Sequence, residues 1–135
     1  MNSCVKFSEM TLLAYHAIAL IARSKTGALG AAEIAQITRK SQNTLHKVMQ
    51  RLAKAGVVES SRGRGGGFVL KVQPEAIVLL VIYEMFEGKL ADAECLAGLN
   101  TCIFGGCLFG NVIREIDQKF FEFLSTHTVA DLMKG

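Results

Sequence analysis

Acidic residues are scarce in the front of this chain. Residues 1–73 hold 11 Lys and Arg against 3 Asp and Glu, a net +8, while residues 74–135 hold 4 against 9, a net −5. Long apolar runs are also missing. The longest stretch of Ile, Val and Leu is Ile77–Ile82, far below the roughly 20 residues of a bilayer-spanning helix. The N-terminus is short and polar before an amphipathic pattern begins, unlike a secretory signal. A cytoplasmic protein without a membrane segment is therefore expected. Enzyme chemistry is absent too. The three histidines, His16, His46 and His127, lie far apart, no nucleophile–base spacing occurs, and no phosphate loop opens a helix. No internal repeat is found. Structural disulfides are rare in a reducing compartment, so the four cysteines need another explanation.

What is present is one ordinary domain, or a small domain with an arm: 135 residues, half of them hydrophobic. A basic front joined to an acidic rear fits a nucleic-acid face attached to a part with a different task.

The most informative stretch is Ser41 to Leu70. Ser41 is a candidate N-cap. Leu45, Val48, Met49, Leu52 and Ala53 recur at three- and four-residue spacing and predict one inner face. His46, Lys47, Gln50, Arg51 and Lys54 take the other. Gly56 ends the helix, as glycine tolerates a left-handed cap. Val57-Val58 and Phe68-Val69-Leu70 then read as strands around a basic tip, Arg62-Gly63-Arg64-Gly65-Gly66-Gly67. Taken alone that tip could be a linker. Helix, glycine stop, strand, basic tip and returning strand in this order predict a winged helix-turn-helix. A helix fits the DNA major groove, and Gln42, Asn43, Thr44, His46 and Lys47 lie near its N-terminus, where base edges are read; Ser41 and Arg51 belong to the same expected DNA-binding set. Arg62 and Arg64 can approach phosphates or a minor groove.

Ahead of this stretch, Ser8 can cap a helix to about Arg23, with Leu12, Leu13, Ala17, Ile18, Leu20 and Ile21 inward and Glu9 in its first turn. Residues 24–30 read as a loop. Ala31–Ile37 is a short helix with Ile34 and Ala35 inward. Thr38-Arg39-Lys40 forms the turn of the helix-turn-helix, which brings Arg39 and Lys40 near the DNA backbone.

After the hairpin, Gln73-Pro74-Glu75 opens a helix running to about Glu87, which Gly88 ends. Residues 89–108 resist regular assignment. From Phe109 to Leu124 the helical period returns, with Val112, Ile113, Ile116, Phe120, Phe123 and Leu124 in a stripe. Phe121 falls off the stripe, which suggests burial on two sides and a second copy against this helix. Thr128 and Asp131 match a capping-box pattern for a last turn, Val129–Met133. The fold class expected is mainly α with a small β-hairpin wing. A winged helix-turn-helix domain spans 1–73, and a loop with a long dimerisation helix spans 74–135.

Cys95, Cys102 and Cys107 are separated by six and four residues, with Gly98, Gly105, Gly106 and Gly110 interleaved. Thiols on a glycine-rich loop can bend around a metal. Iron–sulfur clusters take mostly thiolate ligands, zinc accepts three thiolates and one other donor, and free cysteines are often simply buried. Spacing leaves all three open.

The recognition stretch, with Leu45-His46-Lys47-Val48, then Arg51 through Val58, then Ser61-Arg62-Gly63 and Gly65-Gly66-Gly67-Phe68, resembles the IscR/NsrR family of bacterial winged-helix regulators. The likeness extends from Phe7-Ser8-Glu9 through Pro74-Glu75 and the cysteine loop to Thr128-Val129-Ala130-Asp131-Leu132. It implies a homodimeric transcription factor on a palindromic double-stranded DNA operator. Many members hold a [2Fe–2S] or [4Fe–4S] cluster through three loop cysteines and sense iron–sulfur status, nitric oxide or redox state. Cys95, Cys102 and Cys107 match that triad. Some members place a histidine three positions after the last cysteine, where this chain has Gly110, and the loop departs from an even five-and-five spacing. Others use an acid at the start of the first helix, reaching from the partner subunit. Glu9 matches it and is the expected fourth ligand, ahead of His127 and Cys4. Two other readings stand beside this one: a cluster-free member sensing thiol oxidation or a partner protein, and a small iron–sulfur redox protein.

Overall fold

The computed structural model describes residues 3–63, 66–90 and 102–134. Helix α1 spans Glu9–Arg23, and the Ser8 hydroxyl accepts from the Thr11 N–H at 3.2 Å, as its capping residue should. Its buried face is Thr11, Leu13, Ala14, Ala17, Ile18 and Ile21. Leu12, expected inward, is exposed, and Leu20 is half-buried. The inner face is rotated toward the small residues, which let neighbouring helices approach closely.

Strand β1, Ala28–Leu29, lies inside the segment expected to be a loop. Two residues show no period. They become a strand only through pairing with β3, with Ala28 opposite Val69 and Leu29 opposite Phe68. Helix α2, Ala31–Thr38, buries Ile34 and Ala35. It ends on Arg39 in the left-handed region (φ 57°), with the Lys40 N–H donating to the Ala35 carbonyl at 3.1 Å and the Arg39 N–H to Gln36 at 3.3 Å.

Helix α3, Gln42–Lys54, buries Leu45, Val48, Met49 and Leu52. Ala53, expected on this face, is exposed: each four-residue step from Leu45 through Met49 turns about 40° past a full helical turn, which carries Ala53 to the rim of the packed face. Gly56 closes the helix at φ 80°, its N–H donating to Ala53 at 3.0 Å and that of Val57 to Leu52 at 2.9 Å. Strands β2 (Val58–Ser61) and β3 (Gly67–Leu70) form the hairpin, in register from Val58–Leu70 to Ser61–Gly67, and the sheet order is β1-β3-β2. Gly67 is required here: a Cβ would strike the Leu29 carbonyl of β1.

The single helix expected from Pro74 to Glu87 is divided. A 3₁₀ turn, Pro74–Ala76, is followed by extended Ile77 and Val78, and α4 begins only at Leu79 and runs to Glu87. The break serves a tertiary pairing. Val78 bridges Thr128, the Leu79 N–H donates to His127 at 3.0 Å, and the Val129 N–H donates to Ile77 at 2.9 Å. Helix α5 spans Val112–Thr126, starting after the expected Phe109 because residues 107–110 form a turn. Helix α6, Val129–Lys134, opens as the capping pattern predicts, with Asp131 Oδ2 accepting from the Thr128 N–H at 2.8 Å.

One hydrophobic cluster joins α1, α2 and α3 to Ile77, Leu79, Ile82, Leu124 and Val129. Beside it, Phe7, Tyr83 and Phe120 meet edge-to-face with ring centroids 5.5–6.0 Å apart. Tyr15 donates its hydroxyl to the Leu79 carbonyl at 2.6 Å, and burial pushes its pKa well above the usual phenol range. Helix α5 buries only Leu124. Val112, Ile116, Phe123 and Phe121, the last expected to be enclosed, are exposed in the single chain. Among the described residues no helix is long and apolar enough to cross a membrane.

Candidate nucleic-acid interface and cysteine loop

The packing of α3 decides which of its polar residues are free. With Leu45, Val48, Met49 and Leu52 turned into the core, Gln42, Asn43, His46 and Lys47 are exposed together on the N-terminal half. Ser41 and Thr44 are occupied locally. The Ser41 hydroxyl accepts from the Thr44 N–H at 3.1 Å and donates to the Thr44 hydroxyl at 2.9 Å, and Thr44, expected to be exposed, is half-buried. The pair sets where α3 starts, and so which side chains its first turn presents.

Arg39 and Lys40 sit in the turn before this cap, both exposed. Arg39 holds a conformation that costs a non-glycine residue about 1–2 kcal/mol. Lys40 reaches back to α1, its Nζ 2.8 Å from Glu9 Oε1. In the wing, Arg62 is exposed just beyond the last strand pair, and the Gly66 N–H closes a turn onto the Gly63 carbonyl at 2.9 Å. Arg64 lies outside the described residues. The exposed cationic groups Arg39, Lys40, Lys47 and Arg62 thus flank the polar start of α3. A long-range positive field of this kind supplies non-specific affinity for a polyanion.

Arg51 is placed differently. Its guanidinium donates to the Met85 carbonyl in the last turn of α4 and lies over the Phe86 ring, 4.6 Å from the centroid. One residue further, the Glu87 carboxylate accepts from the Ser8 N–H at 2.7 Å and the Thr11 hydroxyl at 2.5 Å. These bonds, from Thr11 and then Ser8, hold the Glu87 carboxyl below the usual carboxylate range. Sequence reasoning missed this junction. The available signal was Thr11, a hydroxyl in step with Leu13, Ala14 and Ile18 on a buried face, where it requires a partner.

Cys95 lies outside the described residues. Cys102 and Cys107 each open a tight turn: the Gly105 N–H donates to the Cys102 carbonyl at 3.1 Å, and the Gly110 N–H to the Cys107 carbonyl at 3.0 Å. Gly105 (φ 72°) and Gly110 (φ 63°) hold left-handed conformations, so both glycines are matched to these turns. Both cysteines are free thiols, Cys102 half-buried and donating to the Gly106 carbonyl at 3.2 Å, Cys107 exposed. Cys4 is a third free thiol, also exposed. Among the described residues no three His, Cys, Asp or Glu side chains converge as a metal site. In kind the side chains nevertheless suit iron: soft cysteine sulfurs on a backbone bent by glycine, with the Glu9 carboxylate of α1 paired to Lys40. His127 Nδ1 lies 2.9 Å from the Phe123 carbonyl and its ring is stacked on Phe123 at 4.2 Å; a histidine held this way through Nδ1 can still ligate through Nε2.

Residues 7–135 match the Rrf2 family, described as an iron-dependent transcriptional regulator. The chain is 31% identical to the HTH-type transcriptional regulator NsrR of Bacillus subtilis, over 97% of this chain and 92% of the relative. It is 35% identical to the regulator of the same name from Shouchella clausii, over 75% and 69%. Among solved structures, CymR, named the global cysteine regulator of B. subtilis, superposes with a TM-score of 0.76 at 26% identity, covering 96% of this chain and 97% of that one. IscR of T. potens gives 0.74 at 25% identity, covering 97% and 88%. The exposed start of α3, the basic wing and the family match agree, and the chain belongs to the Rrf2 family of DNA-binding transcriptional regulators.

Proposed function

We propose that this protein is a cytoplasmic homodimeric regulator whose affinity for a palindromic operator is switched by an iron–sulfur cluster held by Cys95, Cys102, Cys107 and Glu9. The cysteine loop carries the reading. Two free thiols open consecutive glycine-closed turns, on a segment whose Ile103 is 85% and Leu108 72% exposed. An apolar loop and an apolar α5 face left bare in one chain favour a second copy as their cover.

In this reading Gln42, Asn43, His46 and Lys47 meet base edges, while Arg39, Lys40, Arg62 and Arg64 meet phosphates. Ser41 and Thr44 fix the start of the reading helix. A cluster bound at the loop supplies a centre that loss of iron, oxidants or nitric oxide can dismantle. Glu9 has two competing roles. Paired with Lys40 it neutralises a cation beside the reading helix, and engaged as a ligand it releases that cation toward the DNA backbone. Two recognition helices must sit roughly 34–36 Å apart to read both half-sites, so a small shift of the dimer arm alters operator affinity steeply.

The test is anaerobic purification with iron and sulfide counted per chain, followed by operator binding of loaded and cluster-free protein. Iron with sulfide and unequal operator affinity are expected. The exposed Cys107 thiol and the likeness to a cysteine regulator favour a second reading, a cluster-free thiol sensor. Metal-free protein whose DNA binding changes with thiol oxidation would establish that one instead.

A further inference from the structure

The last turn of α4 is tied to two elements at once. On one side Arg51 of α3 donates to the Met85 carbonyl and covers the Phe86 ring. Carbonyls in a final helical turn lack a partner within the helix and carry its negative end, so a guanidinium is a fitting cap. The guanidinium, with its donors in a rigid planar fork, makes the hydrogen bond while its central carbon lies over the ring. On the other side the Glu87 carboxylate accepts from Ser8 and Thr11 at the positive end of α1. Gly88 then stops the helix, and the chain leads to Cys95, eight residues beyond Glu87.

We propose that Arg51 is a positioning residue that transmits the state of the cysteine loop to the DNA-reading helix through the last turn of α4. The inference rests on the cluster-switch reading above. The α4 terminus stands between the two groups of proposed ligands and α3. Cys95 follows it in the chain, and Glu9 adjoins Ser8, which Glu87 holds. A displacement of the loop or of the start of α1 moves Met85 and Phe86, and through Arg51 it tilts α3 from its C-terminal half. The N-terminal half, which carries Gln42, Asn43, His46 and Lys47, turns with it. A recognition helix fastened at the end away from the bases can be re-aimed without disturbing the side chains that read them.

The experiment measures operator affinity of the loaded and cluster-free forms of the full chain in four versions: wild type, Arg51→Lys, Arg51→Ala and Phe86→Leu. Iron per chain and circular dichroism are followed in parallel. Iron content and helicity are expected to stay at wild-type values. The affinity ratio between the two forms is expected to fall to within about threefold in Arg51→Ala, with Arg51→Lys and Phe86→Leu intermediate. A variant that loses affinity equally in both forms, with the ratio kept, overturns the proposal. If its salt dependence also flattens by about one unit, Arg51 is a phosphate contact instead. Equal affinity of the two wild-type forms overturns the switch itself and the transmission with it, and the wild-type measurement alone tells that failure from the other.

Discussion

Lys40 and Glu9 form an ion pair, Nζ to Oε1 2.8 Å, that joins the turn before the recognition helix to the first turn of α1. Both side chains are more than a third exposed, so the pair contributes little to stability, about 0–1 kcal/mol before screening. Its importance is in charge placement. Glu9→Ala should leave the urea midpoint nearly unchanged. In the cluster-free protein it should steepen the salt dependence of operator binding by about one unit, as Lys40 becomes available to a phosphate. If Glu9 is a cluster ligand, iron retention after gel filtration falls as well.

Arg39 occupies a left-handed backbone position. Arg39→Gly should relieve about 1 kcal/mol and raise the melting temperature by a few degrees. The same change removes a cation from the DNA face, so operator affinity should drop. Calorimetry and operator titration on one sample check the opposed signs.

Gly67 lies against β1 so closely that a methyl group would meet the Leu29 carbonyl. Both partners are backbone and neither can rotate away. Gly67→Ala should cost about 1–3 kcal/mol, the range for overpacking, and should release β1 from β3. Urea denaturation gives the cost, and hydrogen exchange at Phe68 and Val69 reports the lost pairing.

Glu87 is held below the usual carboxylate range by Thr11 and Ser8. A depressed folded pKa contributes stability that is present above the unfolded value. That stability is lost as pH falls from the ordinary carboxylate range through the lower folded value. Glu87→Gln should therefore lower stability at pH 7 and flatten the part of the acid limb due to this group. Stability measured between pH 7 and pH 3 tests the difference.

Arg62 stands exposed at the edge of the wing. Arg62→Ala should weaken binding to all DNA sequences alike and reduce the salt slope by about one unit. An unchanged slope would leave the wing without a phosphate contact at this residue.

The elements with a strong local signal could be read directly from the chain. The period of α3, its Ser41 cap, the Gly56 stop and the hairpin are all local, each set by a few neighbouring residues. The split of the Pro74–Glu87 segment could not be read, because the apolar run through Ile77 and Val78 suits helix or strand equally. Pairing with Thr128 and His127 chose the extended form. Thr44 reads as a free polar residue by period and becomes a cap partner by geometry.

The amino-acid sequence by itself determined the winged helix-turn-helix order, the basic front, the outward set Gln42, Asn43, His46 and Lys47, and the cysteines with their glycines. Periodicity, capping chemistry and charge act over a few residues and are written there. Only the tertiary structure decided where Arg51, Glu9, Lys40 and Glu87 point. Each is a charged side chain on a helix surface or in a turn, and its partner lies on another element. Met85 and Phe86 receive Arg51, Lys40 meets Glu9, and Ser8 with Thr11 meets Glu87. Those partners come together only after burial of Ile18, Leu45, Leu52 and Ile82 has set the helices against one another. The hydrophobic effect that sets them is non-directional, so the linear order of residues does not carry the pairing of their surface charges.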